Sequence, residues 1–251
     1  MPLDLRLLRT LRPQNTFHHF TIIGSTMTEA AQFAATGAPH GTVVLAEEQT
    51  SGMGRLGRSW ISQAELGIYC SILLRLQLSQ ANLPLASLLL GLATAEAIQQ
   101  ATQLSCDLRW PNDVLINERK VAGILTHLVD DCILGGIGIN VNQVSFDSDL
   151  RTPATSLLLE SNRRVQSREI LLAYLLESID SFCSLLASSG PDAVLRSFAS
   201  ASSYAMGRRV VVEETGTRGV TAGLDDSGFL LVRADSGVIE KVSTGALRPD
   251  R

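Results

Sequence analysis

The strongest constraint on the fold of this chain is a change of sequence pattern near residue 205. Before it, segments typical of strands are mixed with long helical segments. After it, only short strand-like runs follow, separated by Thr-Gly and Asp-Ser-Gly turns. This change predicts two domains, residues 1–204 and residues 205–251, of which the second is a small β-barrel.

The first predicted domain combines helices and strands in an irregular order. Apolar and β-branched runs predict strands at 17–24, 42–47, 67–76, 107–110, 114–116, 121–129 and 132–141. Helices are predicted at 26–36, opened by a Thr26-x-x-Glu29 capping box, and at 84–103, 168–188 and 191–199. Because neighbouring strands often follow one another without a helix between them, the pattern favours an α+β fold with a mixed sheet.

Composition, net charge and cysteine spacing argue against a nucleic-acid-binding, membrane or secreted protein. The net charge of −4 argues against nucleic acid as the main partner. The sequence has no uncharged apolar run long enough to span a membrane and no secretory leader pattern. The four cysteines are scattered without a CxxC pair, which is typical of free thiols in a reducing cytosol. We therefore expect a cytoplasmic protein that binds neither nucleic acid nor membrane.

Residues 51–60 read SGMGRLGRSW and combine glycines with two arginines and a tryptophan. Glycines let a backbone approach a ligand closely, and guanidinium groups suit phosphate oxygens. The loop is not a Walker loop, because no Gly-Lys-Ser/Thr follows it. A surface turn with solvated arginines is the alternative interpretation. The residues that would form an anion-binding cradle are Gly52, Gly54, Arg55, Gly57, Arg58 and Trp60.

A second cluster of polar residues reads LRWPNDV at 108–114 and is followed by ERKVAGIL at 118–125. A short hairpin is expected to bring Lys120 back towards Asp113. The pair is either a plain ion pair or a device that neutralises charge on a phosphate or carboxylate. Of the 21 basic residues only Lys120 and Lys241 are lysine, which favours the second interpretation because lysine supplies a compact ammonium.

Taken together, these motifs resemble the biotin–protein ligase family, which belongs to the same superfamily as the lipoate ligases. The resemblance extends from about residue 17 to residue 249. Six motifs occur in the family's order: Ser25-Thr26, Glu47-Glu48-Gln49, 52–60, 110–113, 119–125 and 136–140. It implies a mixed-sheet catalytic domain followed by a small SH3-like β-barrel.

The resemblance also assigns roles to individual positions. Catalysis would involve Arg55, Arg58, Asp113 and Lys120. The biotin site would contain Ser25, Thr26, Met27, Gln49, Met53, Gly54, Arg55 and Lys120, with Ser25, Thr26 and Gln49 on the ureido ring. The ATP and adenylate site would contain Gly52, Gly54, Arg55, Gly57, Arg58, Trp60, Asn112, Lys120 and Asn140, with Asn140 on the adenine edge.

The chain departs from the family pattern at three of these motifs. Met27 replaces a common Asn or Gln and removes one hydrogen bond from the ureido site. Met53 replaces an arginine, which matters less if that position works through its backbone N–H. Arg109 stands where lysine usually precedes Trp-Pro-Asn-Asp. Only about 16 residues precede the first predicted strand, so we expect no DNA-binding winged helix.

The implied reaction has two steps. Biotin's carboxylate attacks the α-phosphate of ATP to give biotinyl-5′-AMP and pyrophosphate, with Mg²⁺ held by the ATP phosphates and not by a protein cage. A lysine of a biotin carboxyl carrier protein then attacks the adenylate, and Asp113 orients or deprotonates its amine. A homodimer is a further expectation.

Two alternatives remain open from the sequence. A lipoate ligase or octanoyl transferase shares the superfamily, although octanoyl transferases use a catalytic Cys or Lys and lipoate ligases lack this Gly/Arg loop. A biotin-binding protein without catalytic activity is the second alternative. The presence of Arg55, Arg58, Asp113 and Lys120 argues against it.

Overall fold

The computed structural model describes residues 1–76, 78, 80–148, 150–243 and 245–250. Residues 244 and 251 of the predicted second domain lie outside this description. The helices are Leu5–Leu11 (α1), Thr26–Ala35 (α2), Leu83–Thr102 (α3), Leu157–Glu160 (α4), Arg168–Ser189 (α5) and Pro191–Ala201 (α6).

Seven strands form the larger sheet: Thr16–Ile23 (β1), Thr42–Gln49 (β2), Gly67–Leu74 (β3), Asp107–Arg109 (β4), Asp113–Ile116 (β5), Arg119–Val129 (β6) and Cys132–Asn140 (β7). Their order is β1-β2-β3-β7-β6-β5-β4. The β1–β2 pair is parallel and the other pairs are antiparallel. The sheet is therefore mixed, which confirms the predicted α+β class.

Helices cover both faces of this sheet. α3 lies against β6 and β7 and packs on α5 and α6, while α2 lies against β2, β3 and β7. The two layers bury separate apolar clusters. Two segments, Gln80–Thr102 and Arg168–Ser189, are long and apolar enough to cross a membrane by length and composition alone. In this fold the apolar residues of α3 and α5 are instead part of the main core.

The smaller sheet is antiparallel and contains Met206–Val212 (β8), Arg218–Leu224 (β9), Leu230–Ala234 (β10), Ile239–Val242 (β11) and Leu247–Pro249 (β12). Its strand order is β11-β10-β9-β8-β12. Trp110, buried in the main core, donates from Nε1 to the carbonyl of Gly228 at 2.9 Å. This contact fixes the second sheet against the first. The domain boundary between residues 204 and 205 stays a prediction.

The structure corrects the predicted elements at a few positions. The N-cap of α2 is Ser25, whose Oγ accepts from the backbone N–H of Met27 at 3.3 Å, and not Thr26. Thr26 is the first helical residue, so its hydroxyl is free for other partners. The pattern also missed α1, which Asp4 caps through two backbone N–H groups, and the short elements α4 and β12.

Candidate active site

A cavity of about 360 Å³ opens between the large sheet, the Gly/Arg loop and the second sheet. The predicted site residues that line it are Ser25, Thr26, Met27, Gln49, Met53, Gly54, Arg55, Arg58, Trp60, Asn112, Asp113, Lys120 and Asn140. Gly52 and Gly57 lie in the same loop and line a neighbouring groove. The fold thus gathers residues that are separated by more than a hundred positions in the chain.

One end of the cavity is neutral and polar. The Gln49 Oε1 accepts from the backbone N–H of Thr26 at 2.9 Å and from its hydroxyl at 3.1 Å. Ser71 donates to the Thr26 hydroxyl at 2.9 Å, and the Gln49 amide nitrogen donates to Ser62 Oγ at 3.2 Å. Because these groups hold one another in place, the end presents fixed neutral donors and acceptors.

The two methionine departures have different surroundings. Met27 is 5% exposed and belongs to the small apolar cluster under α2. A Cβ on Gly136 would lie 2.8 Å from its sulfur, so Met27 fills the space that this glycine leaves. Met53 is 43% exposed and pairs with Ser59 across the loop. That pairing uses the N–H groups of Gly54 and Trp60 and leaves the N–H of Met53 outside it.

The other end of the cavity is charged and centres on Asp113. Lys120 Nζ lies 2.6 Å from one carboxylate oxygen and Arg109 Nη2 lies 2.6 Å from the other. The carboxylate is 13% exposed. Burial alone would raise the pKa of Asp113, but the charges of Lys120 and Arg109 hold it below its ordinary value of 3.8. Asp113 is therefore an ionised group and a weak proton acceptor at neutral pH.

The hairpin between β5 and β6 places Lys120, as predicted. Asn117 and Glu118 both take left-handed backbone conformations in the turn, and a register shift between Val114 and Leu115 follows. The backbone of Lys120 is also fixed from the other side, because its N–H donates to the carbonyl of Pro153 at 2.7 Å. Lys120 is thus held between β5 on one side and an isolated bridge to Ala154 on the other.

Both arginines of the Gly/Arg loop reach the second sheet. Arg55 Nη1 donates to the carbonyl of Gly245 at 3.1 Å, and burial lowers the pKa of its guanidinium. Arg58 Nη2 lies 3.7 Å from Glu213 and 3.8 Å from Glu214. The loop turns at Leu56, whose φ is 57°. The cations predicted to face phosphate are therefore positioned by tertiary contacts and not by the loop alone.

Trp60 forms a wall of the cavity above two glycines. A Cβ on Gly138 would lie 2.6 Å from Cζ2 of the indole, and one on Gly123 would lie 2.9 Å from Cζ3. Lys120 Nζ sits 5.4 Å from the ring centroid. The indole Nε1 is buried without a hydrogen-bond partner in the described part of the chain. The glycines of β6 and β7 exist at these positions because the indole needs the space.

The two predicted asparagines are partly engaged by the protein. Asn140 donates from Nδ2 to the carbonyl of Thr155 at 3.0 Å. Asn112 donates to the carbonyl of Ile124 at 2.9 Å and accepts from Arg55 at 3.4 Å. Asn112 therefore joins the turn after Pro111 to the Gly/Arg loop.

Three contributions to the site were missed from the sequence. Ser71 belongs to the neutral end, Arg109 pairs with Asp113, and Glu213 reaches the cavity from the second sheet. The pattern of the chain carries no signal for Glu213, because its partners lie on distant segments. Arg109 stood out only as a departure from the family motif.

The geometry of the cavity suits one class of ligand. A neutral polar end next to apolar and glycine-lined walls suits the uncharged head of a small organic acid. The cations at the other end suit carboxylate and phosphate oxygens. Within the described residues, no group of three His, Cys, Asp or Glu side chains could hold a metal ion.

Comparisons with known proteins agree with this class. The chain matches the Biotin/lipoate A/B protein ligase family over residues 19–143 and the Biotin protein ligase C terminal domain over residues 206–246. The Biotin--[acetyl-CoA-carboxylase] ligase of Mycobacterium tuberculosis is 31% identical over 219 residues, which cover 82% of this chain and 79% of that protein. The chain therefore belongs to the biotin/lipoate A/B protein ligase family.

Further similar proteins show how much of the chain the similarity covers. The Bifunctional ligase/repressor BirA of Bacillus spizizenii is 38% identical over 162 residues, covering 62% of this chain. The chain spans about half the length of this relative and of its Bacillus subtilis counterpart. The structure of the biotin protein ligase from Aquifex aeolicus in complex with biotin and ATP superposes with a TM-score of 0.79 at 31% identity, covering 93% of this chain and 97% of that one.

Proposed function

We propose that this protein is a biotin–protein ligase that activates biotin with ATP and transfers it to a lysine of a biotin carboxyl carrier protein domain. The observation that carries the proposal is the division of one cavity into a neutral hydrogen-bonding end and a cationic end. The relatives named as biotin ligases and the structure solved with biotin and ATP support the same assignment.

In the first step the neutral end binds the ureido ring of biotin. Ser25, Thr26 and Gln49 supply the hydrogen bonds, and Met27 packs against the ring system. Lys120 binds the carboxylate together with the α-phosphate. The carboxylate oxygen attacks the α-phosphorus, and the bond to pyrophosphate breaks.

The nucleotide lies at the cationic end. Arg55 and Arg58 offset charge on the phosphates as pyrophosphate leaves, and Gly52, Gly54 and Gly57 keep the loop close to them. Trp60 and Asn112 wall the nucleotide, and Asn140 reads the adenine edge with its carbonyl oxygen. Asp113 is already paired with Arg109 and Lys120, so a magnesium ion would be held by the phosphates of ATP, where it would offset their charge.

In the second step the neutral amine of the carrier lysine attacks the acyl carbon of the mixed anhydride, the acyl–phosphate bond breaks so that AMP leaves, and the proton lost by the nitrogen passes to solvent. Asp113 orients the incoming amine and Lys120 through its charge. Its lowered pKa makes it a poor base at neutral pH, so we assign it the orienting role and not deprotonation.

The proposal extends to the organisation of the protein. Residues 1–204 form the catalytic domain and residues 205–251 a small SH3-like β-barrel. A homodimer forms through the large sheet, in which β1 and β4 are the edge strands. The compartment is the cytoplasm, where the buried cysteines stay thiols; burial raises the pKa of Cys70 and of Cys183 to about 12. Light scattering tests the dimer.

Pyrophosphate exchange tests the activity. The purified protein is incubated with magnesium-ATP and labelled pyrophosphate, and biotin, lipoate or octanoate is added in separate reactions. Incorporation of label into ATP with biotin alone is the expected result. Exchange with lipoate would move the chain to the sister activity, and binding of biotin without any exchange would favour a non-catalytic binding protein.

A further inference from the structure

A buried carboxylate of the second sheet reaches the cavity. Glu213 follows β8 directly, and its backbone N–H donates to the carbonyl of Ala246 at 3.0 Å. Its side chain is 2% exposed, yet the residue lines the cavity between the two sheets. A carboxylate this deeply buried needs partners of opposite charge, because an unpaired buried charge is costly.

Three arginines from three separate segments converge on this carboxylate. Arg151 donates from Nε to Oε1 at 2.9 Å, and its Nη2 forms an ion pair with Oε2 at 2.5 Å. Oε2 is buried and accepts no hydrogen bond from the described residues, so charge alone pairs it. Arg248 of β12 forms a further ion pair, with its Nε 2.8 Å from Oε1. Arg58 of the Gly/Arg loop lies 3.7 Å away. The charge-assisted hydrogen bond and the ion pairs together offset the cost of burying this carboxylate.

Arg151 belongs to a wall of the cavity that also holds Lys120. In residues 150–155, Thr152 accepts a hydrogen bond from Arg109 at 2.9 Å. The backbone of Lys120 bonds with this segment on both sides, to Pro153 at 2.7 Å and from Thr155 at 2.9 Å. Glu213 is therefore joined, through Arg151, to the wall that holds the Lys120 ammonium and, through Arg58, to the Gly/Arg loop.

An exposed arginine–carboxylate pair of the same sheet does not extend to the cavity. Arg209 makes a two-pronged pair with Asp235, with hydrogen bonds of 2.6 Å and 2.9 Å. Both of those side chains are about half exposed, and neither residue lines the cavity. Burial and position thus separate Glu213 from an ordinary surface ion pair.

We propose that Glu213 is a positioning residue that fastens Arg151 and Arg58 to the second sheet and so keeps water from the acyl-adenylate. This inference rests on the proposed ligase function and adds a role for the second sheet. The reaction that it suppresses is attack of water on the acyl carbon of the mixed anhydride, which breaks the acyl–phosphate bond and gives the free acid and AMP. A loosened wall admits water and speeds this loss.

The test measures leakage against adenylation without any carrier protein. Enzyme, magnesium-ATP and biotin are mixed, and AMP released by hydrolysis is followed beside pyrophosphate exchange. Glu213→Gln keeps the shape of the side chain and removes its charge, so we expect the ratio of AMP release to exchange to rise about tenfold or more, as for loss of a buried charge pair. Arg151→Gln removes the guanidinium partner of Glu213 by a substitution at a half-exposed position, and we expect the same rise.

Three control variants separate positioning from general stability. Glu213→Asp keeps the charge, and its half-exposed arginine partners can follow it, so its ratio should stay near that of the wild type. Arg248→Gln removes a partner that holds no cavity wall, and Asp235→Asn breaks the outer pair. Both should leave the ratio within about twofold of the wild type, the range of surface ion pairs.

The outcomes distinguish the two proposals. If the wild type shows no biotin-dependent exchange, the ligase function fails and this role fails with it. If exchange is intact and the ratio is unchanged in Arg151→Gln, the positioning role of Glu213 is wrong. The Arg151 variant decides the matter even if Glu213→Gln does not fold.

Discussion

At one end of the cavity, Thr26, Gln49 and Ser71 hold one another by neutral hydrogen bonds, whereas at the other end Arg109, Asp113 and Lys120 hold one another by charge. The neutral end is carried by the start of α2 and by two strands of the large sheet. The charged end is carried by a hairpin, two loops and contacts with the second sheet. Neutral groups on helices and strands carry no charge that must be balanced. Clustered cations repel one another, so carboxylates must hold them together before an anionic substrate binds.

This contrast predicts that the two ends of the cavity contribute differently to stability, to the chemical step and to recognition of the acid. Changes at the charged end should affect folding and the chemical step together, since the same carboxylate serves both. Changes at the neutral end should affect recognition of the acid and little else.

The largest effect is expected from Asp113→Asn, which leaves Arg109 and Lys120 with a neutral partner. We expect a loss of about 3 kcal/mol in the free energy of unfolding at pH 7, as for breaking a buried ion pair. Because the pKa of Asp113 lies below 3.8, its stabilisation is fully present above that pH and is lost as the pH falls through the folded pKa.

Urea unfolding of wild type and variant at pH 7 and at steps below pH 3.8 checks this expectation. The difference between the two proteins should be constant at neutral pH and should narrow in acid. Asp235→Asn, on an exposed pair, is the control. A constant difference at every pH would show that the charge of Asp113 is not what stabilises the fold.

Lys120→Met removes the ammonium from the reacting phosphate, and Arg109 remains paired with Asp113, so we expect a folded protein of reduced stability. We expect the rate of pyrophosphate exchange to fall about 10²–10³-fold, the usual cost of removing one electrostatic stabiliser. Lys241→Met is the matched control, because Lys241 pairs with Asp225 at 2.6 Å outside the cavity. Equal losses in both variants would contradict a special role for Lys120.

Gly138→Ala tests the wall between the two ends. The new Cβ would lie 2.8 Å from Nε1 of Trp60, so the indole must move. We expect KM for ATP to rise about tenfold, from overpacking that costs about 1–3 kcal/mol. Gly91→Ala in α3 is the control, since its Cβ would meet only Leu108 at 3.8 Å. An unchanged KM for ATP would mean that Trp60 is not part of the nucleotide site.

Thr26→Val should have the smallest effect and the most selective one. It removes one hydroxyl between Gln49 and Ser71 while keeping the shape of the side chain. We expect KM for biotin to rise about fivefold, near the 1 kcal/mol of one hydrogen bond, with KM for ATP unchanged. Thr94→Val is the control, because that buried hydroxyl donates to the carbonyl of Leu90 in its own helix and does not line the cavity. A rise in KM for ATP instead would reverse the assignment of the two ends.

Much of the fold followed from local patterns. Strand and helix bounds were predicted within a few residues for most elements, because burial repeats with the period of each element. The hairpin that brings Lys120 to Asp113 was also predictable, since only six residues separate the two. The helix α1 was missed because its seven residues show little burial, with Leu8 as the buried position. The capping of α2 was misassigned by one residue because Ser25 and Thr26 are both good caps.

The sequence predicted which residues line the site better than it predicted which of them contact one another. The motifs named 13 residues that line the cavity, and the roles given to them stay predictions. Glu213 and the carbonyl of Gly245 could not be inferred, because each acts on a loop more than 150 positions earlier in the chain.

Local sequence patterns are enough to specify the local structure and the set of reactive side chains: the Gly/Arg loop, the Asp113–Lys120 hairpin and the strand-rich segment after residue 205. Which charges neutralise one another, and which hydroxyl faces which amide, follows from the packing of distant segments. The two kinds of information differ in the distance along the chain over which they act. Propensity and periodicity act over a few residues, whereas an ion pair or a hydrogen bond is satisfied by whichever group the packing of the two sheets brings within about 3 Å.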